Sequence, residues 1–139
     1  MGRMQRQDNT AERLKAAGLR PTAQRLALAH LLFDGSEKHI SAESLFEEVI
    51  RAGTKVSLAT VYNTLHQFKA VGLLREVAIE GDRSYYDTNT SNHFHLFDQG
   101  AGELTDLDPG QLKISGLPEL PAGQEIDRID VIIRLRPKS

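Results

Sequence analysis

Apolar residues recur at helical spacing through the first half of the chain, in runs that glycines and short polar turns interrupt. Serine or threonine precedes several of these runs, where an N-cap accepts a backbone N–H group, and glycine follows them. The pattern predicts four helices: residues 11–17, residues 23–33, a third that Ser41 caps and Gly53 ends, and a fourth from near Ser57 to near Gly72.

The pattern changes after Gly72. Residues 73–79 alternate loosely between apolar and polar side chains. Residues 80–83 have the composition of a turn, and residues 84–87 follow as a second extended segment. Such a stretch predicts a β-hairpin. Helices followed by a hairpin in this order indicate a winged helix-turn-helix.

The second half shows strand patterns instead of helical ones. Residues 88–92 are polar, and strands are predicted at 93–97, 103–107 and 126–135. A unit of about 50 residues gains little stability alone, which favours dimerisation. We therefore predict an α+β protein with three parts: an N-terminal winged-helix DNA-binding domain (1–88), a linker (89–92) and a small α/β dimerisation domain (93–139).

The composition narrows the possible classes of protein and of metal site. The 139 residues include no cysteine, which excludes disulfides, a structural zinc site made of four cysteines and a cysteine nucleophile. Any metal must therefore be held by nitrogen and oxygen. The chain has neither a signal-peptide pattern nor a long apolar run, so we expect a cytoplasmic protein that does not contact a membrane.

Charge is distributed unevenly between the two halves. Residues 1–75 hold 11 Lys and Arg and 7 Asp and Glu, a net charge of +4, whereas residues 76–139 hold 6 and 12, a net charge of −6. This asymmetry favours a first half that faces a polyanion, although scattered surface charge is the simpler alternative.

The fourth predicted helix has one apolar side and one polar side. Serine and threonine near its start are suited to phosphate, Asn63 is suited to adenine in the major groove, and Tyr62 is suited to a thymine methyl. A merely polar helix surface is the alternative. The candidate DNA-reading residues of this helix are Ser57, Ala59, Thr60, Tyr62 and Asn63.

Four basic residues could reach a phosphate or a minor groove beside that helix. Three precede it in the chain and the fourth lies at the tip of the predicted wing. For any one of them taken alone, an ordinary solvated charge is the more common role. They are Lys15, Arg20, Arg25 and Arg83.

Two histidines lie two residues apart on a predicted strand. Side chains at such spacing share one face of a strand, so His93 and His95 can offer two nitrogen ligands to one cation while Phe94 points away. A pair of surface histidines is the alternative for an isolated motif of this kind.

Nearby residues could complete a metal site. Asp87 ends the predicted wing, Asp106 lies on the next strand, and His39 precedes the third helix. Three nitrogens and two carboxylates suit Fe2+, Mn2+ or Zn2+, with one cation in each subunit. Ligands from both predicted domains would fix the angle between them, and this would let a cation control DNA affinity.

Four motifs in this order resemble the ferric uptake regulator (Fur) family. The motifs are LKAAGLRPTAQR (14–25), HISAESL (39–45), SLATVYNTL (57–65) and HFHL (93–96). The C-terminal run over residues 117–136, with YDTNTS at 86–91, is similar to the iron response regulator (Irr) branch of that family.

The resemblance implies a homodimeric repressor of iron-homeostasis genes that binds A·T-rich inverted repeats in double-stranded DNA. It implies the same five metal ligands, a minor-groove role for Lys15 and base contacts for Tyr62 and Asn63. The Irr branch implies control by haem, with His93 or His95 as the axial ligand. Aspartate at positions 87 and 106 is also similar to the peroxide-sensing branch, and plain divalent-metal sensing stays open.

Two departures from the family pattern affect its metal sites. Asp98 and Ala101 stand where most relatives carry the first C-x-x-C pair, so no structural zinc is expected. Asn92 and Phe94 flank the histidine pair where a second metal site of the family has ligands, so that site is expected to be absent or impaired. The chain also lacks the three consecutive histidines and the Cys-Pro haem motif of the Irr branch.

Two other classes of function remain open from the sequence. Two histidines and a carboxylate can hold Fe(II) in an oxygenase, but the chain is short and shows no pattern for a substrate pocket, so we expect no enzyme. Winged helices also bind proteins. A protein-binding winged helix would not show the steep salt dependence of retention on DNA that phosphate contacts produce.

Overall fold

The computed structural model describes residues 2–80, 83–91 and 93–139, with side chains from residue 9 onward within those ranges. It divides into two compact units between Thr90 and Ser91. Residues 81–82 of the turn predicted at 80–83, and linker residue Asn92, lie outside the described residues, whereas Glu80 and Arg83 end and begin strands. No helix in the described part of the chain is long and apolar enough to cross a membrane.

The first unit contains four helices and a small antiparallel sheet. The sheet has the order β1-β3-β2. The first helix begins well before the predicted residue 11, and β1 is a two-residue strand that the sequence did not predict. The elements are α1 (Gly2–Ala16), α2 (Ala23–Leu32), β1 (His39–Ile40), α3 (Ala42–Arg51), α4 (Leu58–Ala70), β2 (Arg75–Glu80) and β3 (Arg83–Asp87).

The predicted caps determine where α3 and α4 begin. The Ser41 hydroxyl accepts the N–H of Ser44 at 3.1 Å, and the Ser57 hydroxyl accepts the N–H of Thr60 at 3.0 Å. Each bond satisfies a backbone donor that has no partner within the helix. Gly72 follows α4 with φ of 82°, a conformation that residues with a Cβ rarely adopt.

The apolar stripe of α4 lies in the core of the first unit. Its buried side chains are spaced three to four residues apart, so they share one helix face and leave the opposite face to solvent. Removal of this surface from water is the main favourable contribution to the stability of the unit. The fully buried core residues include Leu28, Leu45, Val61, Leu65 and Phe68.

The second unit is built around a three-stranded sheet with the order β5-β4-β6, and its described residues contain a short 3-10 turn (Pro109–Gln111) but no α-helix. Strands β4 and β5 are antiparallel, and β6 runs parallel to β4. The strands are β4 (Phe94–Asp98), β5 (Glu103–Leu107) and β6 (Ile132–Leu135). The mixed α+β class expected from the sequence is confirmed.

Two strand predictions in the second unit were wrong in their bounds. The strand expected at 93–97 begins at Phe94, so His93 precedes it. The strand expected at 126–135 covers only Ile132–Leu135, because β4 is five residues long and pairs with four residues of β6. Ile126 lies outside β6 and is 42% exposed.

Asp98 stabilises the turn after β4. One of its carboxylate oxygens accepts the N–H of Gly100 at 3.0 Å and the N–H of Ala101 at 3.1 Å. Asp98 and Ala101 are the positions at which the resemblance places a cysteine pair in relatives. Side-chain hydrogen bonds therefore stabilise this turn with no thiolate ligand.

Tyr86 should give the first unit a measurable sensitivity to alkaline pH. Tyr86 is 2% exposed, and burial raises its pKa from 10.0 to about 12, with a contribution from the Glu76 carboxylate. The unfolded chain therefore releases this proton more readily, and stability is lost as pH rises from 10 through 12. The loss is on the order of 1–3 kcal/mol for a shift of this size.

We expect Tyr86→Phe to lose less stability than the unchanged chain over this pH range. Urea unfolding of both proteins between about pH 9 and pH 12 measures the difference directly. Parallel pH profiles for the two proteins would contradict the assignment.

Candidate metal centre and nucleic-acid surface

The pairing of β1 with β3 places a histidine beside an aspartate in the first unit. His39 and Asp87 are register partners, and His39 Nε2 lies 3.1 Å from Asp87 Oδ2. Directly opposed side chains on two antiparallel strands come close enough to share a ligand. The two-residue strand β1 thus positions a nitrogen and an oxygen donor together.

The Asp87 carboxylate is fully buried. Its Oδ1 accepts the N–H of Asn89 at 2.8 Å, while Oδ2 faces His39. Burial of a carboxylate is costly unless hydrogen bonds and a positive charge compensate for the lost hydration. The local structure therefore favours a cation at this position, either a metal ion or an imidazolium.

The second unit has a similar arrangement on a different sheet. His95 and Asp106 are register partners in β4 and β5, and His93 lies just before β4. Asp106 Oδ1 is 2.8 Å from His93 Nε2 and 3.5 Å from His95 Nε2. The two imidazole rings are 4.5 Å apart between centroids, and both histidines are buried. Three donor groups thus converge.

The hydrogen bond at the other side of the His93 ring orients the imidazole so that Nε2 faces Asp106. His93 Nδ1 lies 2.7 Å from the carbonyl oxygen of Ser91, and a carbonyl can only accept, so Nδ1 carries a proton. In a neutral ring, Nε2 then has a lone pair, which would face the Asp106 oxygen. Two acceptors 2.8 Å apart require a proton or a metal ion between them.

The donor set fits a divalent transition metal. Metal-bound histidines commonly donate their other N–H to a carbonyl oxygen, as His93 does to Ser91. Imidazole nitrogens and carboxylate oxygens suit Mn2+, Fe2+ and Zn2+. Of the five predicted ligands, the first unit brings together His39 and Asp87, and the second brings together the remaining three.

Four of the predicted DNA-binding residues line one surface hollow of the first unit. The hollow has a volume of about 420 Å3 and lies where the start of α2 meets the exposed face of α4. The Arg25 guanidinium donates to Gln67 Oε1 and to the carbonyl oxygen of Arg20. The predicted residues in its lining are Arg20, Arg25, Thr60 and Asn63.

Two further predicted residues line a second hollow of about 520 Å3, between α3, α4 and the β2–β3 hairpin. Tyr62 donates its hydroxyl hydrogen to Glu43 Oε1 at 2.5 Å. This hydrogen bond holds the pKa of the Glu43 carboxyl below its usual range, and the Arg83 charge contributes. Tyr62, Glu43 and Arg83 therefore form one local group.

The remaining predicted DNA-binding residues line neither hollow within the described part of the chain. Ser57 is exposed but its hydroxyl caps α4, and Ala59 is exposed one position into that helix. Lys15 is exposed on α1 and lies 4.0 Å from Glu12. All nine DNA-binding assignments stay predictions.

Three residues that position candidate groups were not predicted from the sequence: Glu43, Gln67 and Ser91. Glu43 and Tyr62 are 19 residues apart, and Arg25 and Gln67 are 42 residues apart. No local pattern marks contacts of such separation. The Ser91 carbonyl that orients His93 is a backbone group, which sequence spacing alone does not identify.

Comparison with known proteins relates these features to a family. The model of the ferric uptake regulator family matches residues 16–118. The peroxide-responsive repressor PerR of Staphylococcus aureus (strain Mu50) is 33% identical over 99 residues, or 71% of this chain. The match spans 66% of that relative's length, just under two thirds.

Solved structures show the same fold. The ferric uptake regulator of Vibrio cholerae superposes with a TM-score of 0.72 at 25% identity, covering 91% of this chain and 98% of that one. The Pseudomonas aeruginosa ferric uptake regulator with manganese gives a TM-score of 0.69 at 25% identity, covering 94% and 98%. Members of this family are transcription regulators and not enzymes. The chain belongs to the ferric uptake regulator family.

Proposed function

We propose that this protein is a metal-responsive transcriptional repressor that binds A·T-rich inverted repeats in double-stranded DNA as a homodimer. The observation that carries the proposal is the exposed face of α4, which shares a hollow with two arginines and carries Asn63 at its surface. A reading helix with flanking cations is typical of DNA recognition.

The first unit supplies groups for both kinds of DNA contact. Arg20 is exposed beside α4 and suits a phosphate, which positions the protein without reading sequence. Asn63 is exposed on α4, where its amide can form two hydrogen bonds with adenine in the major groove. Ser57, Ala59 and Lys15 belong to the same proposed surface.

We assign one divalent cation per subunit to the five residues His39, Asp87, His93, His95 and Asp106. When bound, the cation supplies two positive charges. The formal net charge of the chain is −2, so a divalent ion brings it to zero and weakens electrostatic repulsion from DNA. We therefore propose that the metal-bound form binds DNA more tightly.

The second unit provides a surface for a second copy of the chain. Several large apolar side chains are exposed there, and burial against a second copy would remove them from water. Proteins of this family bind DNA as dimers. The exposed residues are Ile114, Leu117, Leu120, Ile126 and Leu135.

Peroxide or divalent-metal sensing is the form of regulation that we favour. The Staphylococcus aureus relative is a peroxide-responsive repressor, and aspartate stands at both carboxylate positions here. Control by haem, with His93 or His95 as axial ligand and iron-homeostasis genes as targets, is the second candidate. It rests on the resemblance of residues 117–136 to the Irr branch.

A gel-shift titration tests the proposed function. The full-length protein is mixed with an A·T-rich inverted-repeat duplex, first with Mn(II), then with Fe(II) and hydrogen peroxide, and then with haem. We expect a metal-dependent complex whose affinity falls steeply with salt, as phosphate contacts require. Loss of the Fe(II) complex on addition of peroxide supports peroxide sensing, and loss with haem alone supports the second candidate.

Failure to form any complex at low salt, with or without metal, would contradict DNA binding. A complex that forms equally well with and without metal would leave a DNA-binding protein but contradict the metal-responsive part of the proposal.

A further inference from the structure

Glu43 is an unexpected residue for a DNA-binding surface. It lies in the first turn of α3 and lines the hollow beside the exposed face of α4. A carboxylate near phosphates weakens DNA binding by charge repulsion. A surface that contacts DNA would therefore be expected to carry a neutral or basic residue here, unless the carboxylate has a specific role.

The structure shows which group the carboxylate contacts. Glu43 accepts the hydroxyl hydrogen of Tyr62 at 2.5 Å, and Tyr62 is half-buried on α4 in the hollow that Arg83 also lines. The family resemblance assigns Tyr62 to a base contact. A half-buried tyrosine on a helix can have more than one staggered rotamer available. A hydrogen bond to a residue on another helix favours one of them before DNA arrives, which reduces the entropy lost on binding.

We propose that Glu43 is a positioning residue that determines sequence specificity: it holds the Tyr62 ring where the ring can contact a thymine methyl, and it contacts no base itself. This inference rests on the proposed function. Glu43 remains ionised because the Tyr62 hydrogen bond and the Arg83 charge stabilise its carboxylate. Arg83, on the hairpin, also offsets part of the negative charge at this surface.

A purely structural role for Glu43 predicts different behaviour. A carboxylate in the first turn of a helix stabilises the helix dipole. Glu43→Gln and Glu43→Ala would then both lower thermal stability slightly, and neither would alter base preference. If Glu43 positions Tyr62, glutamine retains an acceptor for the hydroxyl and alanine does not.

The test uses full-length protein with Mn(II) and a duplex that the unchanged protein selects from a randomised pool. Affinity is compared between this duplex and one with uracil in place of thymine, which removes only the methyl groups. We expect the unchanged protein to discriminate by roughly fourfold per contacted methyl, the value of one buried carbon. Glu43→Ala should lose most of this ratio while binding the uracil duplex at least as tightly, and Glu43→Gln should keep the ratio.

Glu47→Ala is the matched control, because Glu47 is exposed one turn further along the same helix. It should leave the thymine-to-uracil ratio unchanged. In a double-mutant cycle, Tyr62→Phe should lose most of the ratio alone, and addition of Glu43→Ala should cause no further loss.

Three results would overturn this inference and leave the proposed function standing. They are an unchanged thymine-to-uracil affinity ratio in Glu43→Ala, an equal loss of that ratio in Glu43→Gln and Glu43→Ala, or selective DNA binding by the unchanged protein with no preference for thymine over uracil. Failure of the unchanged protein to bind DNA would overturn the proposed function and this inference with it.

Discussion

Asp106→Ala should weaken Mn(II) binding more than any other single substitution in the second unit. One oxygen of Asp106 faces the Nε2 atoms of both His93 and His95, so its removal takes away a ligand and the charge that balances the cation. Loss of an outer partner of a ligand already costs roughly 10- to 100-fold in metal affinity. We expect Asp106→Ala to exceed that range in a calorimetric or chelator-competition titration.

Glu103→Ala is the control for this experiment. Glu103 is an exposed carboxylate on the same strand, β5, and is not a predicted ligand. Its replacement should leave Mn(II) affinity and the circular dichroism spectrum unchanged. Asp106→Ala that is folded and binds Mn(II) as tightly as the unchanged protein would remove Asp106 from the site.

The substitution His39→Ala tests whether residues of the first unit contribute to Mn(II) binding. We expect it also to weaken Mn(II) binding, because His39 and the buried Asp87 carboxylate act as one pair. An unchanged Mn(II) affinity would mean that His93, His95 and Asp106 hold the cation without the first unit.

Asn63→Ala should produce the largest loss of sequence specificity among substitutions on α4. Asn63 is exposed on that helix, so alanine should leave the fold intact. Loss of a bidentate contact with a base costs about 1–3 kcal/mol, and a homodimer has two reading helices. Binding to a panel of single-base variants should show the loss concentrated at one base pair of each half-site.

Arg20→Ala provides the contrast, since Arg20 lines the same hollow and is assigned to a phosphate. We expect its affinity to fall evenly across the panel and the salt slope to decrease by about two, roughly one for each subunit's phosphate contact. An even loss for Asn63→Ala as well would place Asn63 outside base recognition.

The helical part of the fold could be predicted from the sequence because its signals are local. The hydroxyls of Ser41 and Ser57 act within three residues, and the spacing of Val61, Leu65 and Phe68 marks one buried helix face. A pattern of that kind requires no knowledge of distant residues. The predicted helix over 11–17 was too short because the polar residues before it carry no apolar stripe.

The β structure was harder to predict because a strand depends on its neighbour. β1 has two residues, too few for any alternation, yet it places His39 opposite Asp87. Residues 126–131 alternate but lie outside β6, since β4 is too short to pair with them. His93 keeps its place beside His95 without being part of the strand.

The candidate ligands were predictable as residue types, whereas their orientation was not. The spacing of His93 and His95 suggested a shared face, but the Ser91 carbonyl determines which nitrogen of His93 carries the proton. The hydrogen bond between Glu43 and Tyr62 joins two helices whose relative placement depends on the whole core. Such contacts follow from packing and have no sequence signature.

The central claim is that metal binding and DNA binding are coupled, and linkage allows a direct test. The Mn(II) dissociation constant of the full-length protein is measured with and without a saturating A·T-rich inverted-repeat duplex. We predict tighter Mn(II) binding in the presence of DNA, by the same factor by which Mn(II) tightens DNA binding. An Mn(II) affinity that the duplex leaves unchanged would contradict a metal-responsive repressor.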